Sequence, residues 1–183
     1  TFNVNEIIGH IDDETLVVFD IDATLAWVPG HTWPYDNVTA RSLAEGPKTL
    51  SMWQSLLTAT SNPATHKGAK FIALTARPLP TSPQDEAQAD LAAVGLNASY
   101  SWIQAINPGP NYRNGVLYAN HSDKGTVLKQ FLAAAQAHYG FKKVIFIDDR
   151  LNNSTDVHNA LTAGIAGIES SISFWYQGAI HPK

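Results

Sequence analysis

The chain alternates between short unbroken apolar runs and longer stretches in which apolar residues recur every three or four positions. Leu16-Val17-Val18-Phe19 is the first such run. Its length and β-branched content predict a strand buried on both faces, of the kind found in the middle of parallel sheets. Lys70-Phe71-Ile72-Ala73-Leu74 and Lys143-Val144-Ile145-Phe146-Ile147 predict two more. Weaker strand patterns cover Asn97 to Ile106, Gly115 to Ala119 and Ile168 to Tyr176. Helical patterns lie between them. Val4, Ile7, Ile8 and Ile11 share one helical face, with Asn3 placed to cap it. Residues 37–60 read as mostly helical, split at Gly46-Pro47, with Leu50, Trp53, Leu56 and Leu57 on one face. Ser82-Pro83 opens a helix from Gln84 to Val94, and Gly95 stops it. Ser122 or Asp123 caps a helix that runs to Tyr139 and stops at Gly140. Asn153 or Ser154 caps a last helix through Val157, Leu161 and Ala163.

The segments between these elements are turns and loops. Asp12-Asp13-Glu14 reads as a solvated turn, residues 61–68 as a polar loop, and Asn107 to Asn111 as a turn. Leu25 to Asp36 is punctuated by Pro29-Gly30 and Pro34 and carries Trp27, Trp33, Tyr35 and His31. Trp27 and Trp33 either plug the core or line a pocket, and His31 is a weak candidate for substrate contact. Phe174 and Trp175 read as packing residues.

Composition narrows the class. At 183 residues the chain fits a single domain over 1–183, long enough for a substantial core. An apolar share of 44% argues against disorder. A formal charge of −4 with only 12 Lys plus Arg does not suggest a nucleic-acid-binding surface. With no cysteine, disulfides, thiolate zinc sites and cysteine nucleophiles are all excluded. No apolar run approaches the ~18 residues of a membrane span. The sequence starts at Thr1 without Met, which fits removal of a signal peptide or a trimmed chain. A secreted or periplasmic location is slightly favoured over a cytoplasmic one.

The chemistry-bearing residues sit at the ends of the apolar runs. Asp20 and Asp22 follow the first run, where open α/β sheets put their ligands. Thr75-Ala76-Arg77 follows the second. A short hydroxyl and free N–H groups there can hold a phosphate oxygen. Arg77 is either a substrate clamp or a surface ion pair. Lys124 stands in the first turn of a helix, against the helix dipole, and a residue that breaks a local rule points to function. Asp148-Asp149 ends the third run. Two adjacent carboxylates at a strand end are costly unless a cation offsets them.

Phe19-Asp20-Ile21-Asp22-Ala23-Thr24-Leu25, Thr75, Lys124 and Asp148-Asp149, in that order, resemble the four signatures of the haloacid dehalogenase-like (HAD) superfamily. Most of its members are phosphatases or phosphotransferases. Ala23 departs from the pattern, since many members carry Gly there; this reads as a mild change. The sequence over 25–36, where the superfamily carries a flap, and Asn120-x-x-x-Lys124-Gly125 are similar to a little-characterised, often secreted bacterial subgroup. The resemblance implies a three-layer, doubly wound, mostly parallel sheet of the Rossmann-like HAD type. It implies Asp20 as nucleophile and Asp22 as acid and base. Thr75, the Ala76 N–H and Lys124 would bind the phosphoryl group. Mg²⁺ would be held by Asp20, the Asp22 carbonyl, Asp148 and Asp149. The substrate would be a phosphomonoester, either a small molecule or a phosphoprotein.

The gaps from Thr24 to Thr75 and from Thr75 to Lys124 hold 50 and 48 residues. Core elements use most of each, so no large cap domain is expected, only a flap at about 25–36. Other readings are a phosphotransferase or phosphomutase, a non-catalytic binding module, a receiver domain and a metal-dependent nuclease. A receiver domain would carry its acid pair early and its lone acceptor later, the reverse of the order here.

Overall fold

The computed structural model describes residues 4–25, 56, 69–81, 85–93 and 109–176. In chain order the elements are α1 (Val4–Gly9), β1 (Thr15–Phe19), β2 (Lys70–Thr75), α2 (Glu86–Ala93), β3 (Tyr112–Arg113), β4 (Val116–Tyr118), α3 (Lys124–Tyr139), β5 (Lys143–Asp148), α4 (Leu151–Thr162) and β6 (Ser170–Trp175). The strands form one six-stranded sheet in the order β3-β4-β2-β1-β5-β6. Every neighbouring pair is parallel except β3 with β4. The fold is therefore α/β with a mostly parallel sheet.

The three unbroken apolar runs form the middle of this sheet. Val17 is registered beside Phe71 of β2 and Ile145 of β5, and every residue of β1 is buried. A strand with no polar face can sit only where both faces are covered. β6 carries Ser170, Ser171 and Ser173, is only partly buried, and takes the outer place beside β5. The strand order reverses at β1. The chain steps outward through β2 and β4 on one side, then crosses to β5 and β6 on the other. Parallel pairing brings the carboxyl ends of β1, β2 and β5 to one edge, and such a reversal point is where open α/β sheets bind ligands.

Helix ends follow local chemistry. The Asp123 side chain accepts the Thr126 N–H at 2.8 Å at the start of α3, and Gly140 ends it in the left-handed conformation at φ 61°. The buried stripe Val127, Leu128, Phe131, Leu132 and Ala135 keeps helical spacing and faces the core. α3 and α4 pack closely at Gly125. A methyl group there would stand 2.7 Å from the Asp156 carbonyl oxygen and 2.8 Å from the Ala160 Cβ.

Four expectations need correcting. β4 is shorter than its pattern and is preceded by β3, because Asn114 (φ 47°) and Gly115 (φ 86°) turn the chain into a hairpin. Asn-Gly between two strand segments is the usual signal for such a turn. α2 starts later than Ser82-Pro83 implied, and Asp85 accepts the Gln88 N–H at its start. α4 begins at Leu151, before either proposed cap, and Arg150 at its N-cap position makes no side-chain cap bond. Asn153 and Ser154 are diverted: the Asn153 amide donates to Asp148, and the Ser154 hydroxyl donates to the Phe174 carbonyl. Trp175 is 41% exposed, so it is not a packing residue. The strand read over Asn97 to Ile106, the flap with Trp27, His31 and Trp33, and most of the helical stretch over 37–60 lie outside the described residues. Leu56 from that stretch is helical and buried.

Gly125→Ala should destabilise the protein. Helix propensity gains up to about 1 kcal/mol, while overpacking against α4 costs about 1–3 kcal/mol. A net loss of roughly 1 kcal/mol should appear as a lower midpoint in urea denaturation with an unchanged slope.

Candidate active site

The first element of the site is the turn that leaves β1. The Asp20 N–H donates to the Ile147 carbonyl at 2.8 Å, so the chain keeps its sheet pairing one residue beyond the strand. The Leu25 N–H then donates to the Ile21 carbonyl at 2.9 Å, with Ile21 and Leu25 both buried. Closing this turn puts Ala23 at φ 62°. A residue with a Cβ pays about 1–2 kcal/mol for that conformation, and glycine adopts it freely. Ala23 therefore holds a strained backbone conformation within the turn. The Thr24 hydroxyl accepts the Asp149 N–H at 3.0 Å, tying the loop after β1 to the loop after β5.

Lys124 joins the same two loops by charge. It opens α3 and is almost fully buried. Its Nζ lies 2.6 Å from Asp20 Oδ1 and 2.7 Å from Asp148 Oδ2. The two carboxylates outweigh the unfavourable position at the helix N-terminus. Burial opposes the ammonium charge, and Asp20 and Asp148 reverse that effect, so Lys124 holds its proton more tightly than an ordinary lysine.

Asp148 is held by several hydrogen bonds. Besides Lys124 it accepts the Arg150 N–H at 2.8 Å and the Asn153 amide at 3.0 and 3.1 Å. Asn153 is a site residue that the sequence reading placed only as a helix cap. Its signal was a polar amide about one turn beyond the acid pair. β6 braces this loop from outside: the Tyr176 N–H donates to the Asp148 carbonyl and the Trp175 indole N–H to the Asp149 carbonyl, both at 2.8 Å.

The segment after β2 divides its roles. Thr75 is fully buried, and its hydroxyl accepts the Arg77 N–H at 3.2 Å. Ala76 lines the cavity between the acids, together with Asp20, Asp22, Lys124, Asp149, Arg150 and Asn153, and Thr75 does not. Arg77 does form an ion pair, but a buried one rather than one at the surface. It is buried and grips Asp22 with both ends of its fork, Nε to Oδ2 at 2.9 Å and Nη2 to Oδ1 at 2.6 Å. The same Nη2 lies 2.6 Å from Asp90 on α2. Burial works against the guanidinium charge, but Asp22 and Asp90 more than offset it and raise the Arg77 pKa. Asp90 carried no sequence signal, since one acid in a helix pattern reads as a solvated face.

Oxygens of Asp20, Asp148 and Asp149 all lie within 4.8 Å of one another, whereas the Asp22 carboxylate is outside that cluster. Three carboxylates face one ammonium, leaving an excess of two negative charges. Burial, then repulsion from Asp148, Asp22 and Asp149, pushes the Asp20 carboxyl well above the usual range despite Lys124. Burial and Asp148 likewise push Asp149 up to about 6. This donor set is hard and anionic and contains no sulfur or imidazole, so it fits a divalent cation of the Mg²⁺ class. The cavity is open on one side and has about 20 Å³ of space at its narrow part, enough for a water- or ion-sized group.

A family profile described as protein of unknown function, DUF2608, matches residues 54–178, about two thirds of the chain. The chain belongs to the DUF2608 family. The DUF2608 match includes Thr75, Arg77, Asp90, Lys124, Asp148, Asp149, Asn153 and Trp175, and it begins after Asp20 and Asp22. No curated protein and no solved structure matches the chain.

Two outcomes follow from these charges. Arg77→Met should destabilise the DUF2608 core by about 3–5 kcal/mol, because it leaves Asp22 and Asp90 buried without their cation. Equilibrium denaturation measures this, and a loss below about 1 kcal/mol would mean that the pair is solvated. The second outcome concerns pH. Asp149 moves from the ordinary 3.8 to about 6 on folding. Between those values the folded, metal-free chain holds a proton that the unfolded chain has released. This group's contribution to stability therefore falls as pH rises from about 4 to about 6. A cation held by this cluster would bind the ionised acids, so any rise in Tm given by a fixed Mg²⁺ concentration should be larger at about pH 7.5 than at about pH 5. An equal rise at both would contradict this account.

Proposed function

We propose that this DUF2608 protein is a phosphomonoester hydrolase of the HAD type that works through an aspartyl-phosphate. The observation that carries the reading is Lys124, buried between the acid that ends β1 and the acid that ends β5. Asp20 and Asp148 touch that ammonium directly, and Ala76, from the segment after β2, lines the same cavity as Lys124. The reading also takes the sheet to be the centre of a three-layer, doubly wound HAD core without a large cap domain.

The Asp20 carboxylate attacks phosphorus, and the bond from phosphorus to the ester oxygen breaks. The departing oxygen takes a proton from Asp22. Water then attacks the aspartyl-phosphate, Asp22 takes the proton released, and phosphate leaves as Asp20 is restored. Lys124 holds Asp20 through Oδ1 and fixes the direction in which its carboxylate faces. Its charge also lowers the repulsion between Asp20 and an anionic substrate. Mg²⁺ held by Asp20, Asp148, Asp149 and the Asp22 carbonyl would supply further positive charge against the phosphoryl oxygens. Ala76 lines the cavity where a phosphoryl oxygen would meet backbone N–H, and Thr75 supports that segment from behind.

Asp22 is tied to Arg77 through both oxygens. One of those bonds must open before Asp22 can carry a proton to a leaving group. This grip favours a second reading, in which the fold binds metal and phosphate without turnover. Phosphate release from p-nitrophenyl phosphate separates the two. The hydrolase reading expects release that requires Mg²⁺ and falls at least about 1,000-fold in Asp20→Asn. Mg²⁺ binding with no release by the unaltered chain supports the binding module instead.

A further inference from the structure

A groove runs outward from the acid cavity. It is lined by Asp149, Arg150, Leu151, Asn152, Asn153 and Trp175, and it shares Asp149, Arg150 and Asn153 with that cavity. Its free volume of about 520 Å³ is far larger than a phosphoryl group requires and lies within the ~300–1,000 Å³ of small-molecule sites. Among the described residues, the large hydrophobic side chains that are exposed are Leu151, at 52%, and Trp175, at 41%. Both line this groove. Apolar side chains therefore stand beside the polar groups that the groove shares with the acid cavity.

Trp175 is held as a wall. It is registered beside Asp148 in the sheet, and its indole N–H is used on the Asp149 carbonyl. That bond anchors the indole, and the side chain is 41% exposed and lines the groove, so aromatic surface is on offer there. Aromatic rings prefer a planar partner against such a surface. Arg150 lines the same groove.

We propose that this groove holds the leaving-group side of the substrate, and that this group carries a planar aromatic ring lying against Trp175. The inference rests on the hydrolase reading for the position of the phosphoryl group. It names the substrate class as small phosphomonoesters of aromatic-bearing alcohols. The ring lies along Leu151 and Trp175 while the phosphoryl group faces Asp20.

The test uses phosphonates, which cannot be hydrolysed, so it does not depend on turnover. Calorimetry on the Mg²⁺-loaded protein compares benzylphosphonate, cyclohexylmethylphosphonate and methylphosphonate. The benzyl compound should bind roughly tenfold more tightly than the methyl one, with the saturated ring between them. The benzyl-to-methyl ratio should fall to near one in Trp175→Ala and should largely persist in Trp175→Phe, which keeps an aromatic face but cannot donate to Asp149. Equal binding of all three compounds, or of none, overturns the proposal. So does a ratio unchanged in Trp175→Ala or lost in Trp175→Phe, because the indole would then act only as a brace for the acid loop. A Trp175-dependent ratio together with no phosphate release from any monoester would defeat the hydrolase reading alone. Release of phosphate without a ring preference would defeat the groove alone.

Discussion

The structure depends on one buried ammonium. Lys124 Nζ touches Asp20 and Asp148, which lie at the ends of the two strands that flank the reversal point of the sheet. Removing that charge would leave three carboxylates within 4.8 Å of one another and little water to screen them. The lysine that makes this contact opens α3, whose next residue, Gly125, packs on α4 with no room for a methyl group. The position of the charge and the packing of the two helices are therefore a single constraint.

A second buried cation works behind the first. Arg77 is held between Asp22 and Asp90, so α2 is coupled to the loop after β1 through charge. The two cations share the acids between them. Lys124 takes the acids of the cation cluster, and Arg77 takes the one that stands apart. That division gives Asp20 and Asp22, two residues apart in sequence, different surroundings. Environments that differ in this way are how a site assigns distinct chemical roles to identical side chains.

The loops that carry these groups are over-determined. Backbone bonds run from Ala119, Asn120 and His121 to the carbonyls of Thr75, Arg77 and Ala76. Asn120 and His121 both adopt positive φ to make them. Ala23 does the same in the turn after β1. Non-glycine residues stay in this region only when surrounding bonds outweigh its cost. Here those bonds join the loop after β2 to the loop after β4, and the loop after β1 to the loop after β5. The result is a rigid edge above the sheet, against which a small ligand can be oriented.

Much of this was legible in the sequence. Unbroken apolar runs can be satisfied only in the centre of a sheet, so β1, β2 and β5 declared themselves by pattern. The carboxylates and hydroxyl at their ends declared the edge where chemistry belongs. Asp123, Lys124 and Gly140 marked the ends of α3 by local rules alone. What the pattern could not decide was pairing between residues far apart in the chain. Arg77 looked like a clamp or a surface charge, and only folding brought it to Asp22, 55 positions away, and to Asp90. Asn153 looked like a cap, and the tertiary structure turned its amide onto Asp148 instead. Trp175 looked like core, because an aromatic residue in a strand usually is. Its place at the exposed side of the acid loop depends on which strand lies beside β5. Local sequence fixes which groups a segment offers, whereas the partner of a buried charge and the exposure of an edge side chain are set by the packing of the whole chain.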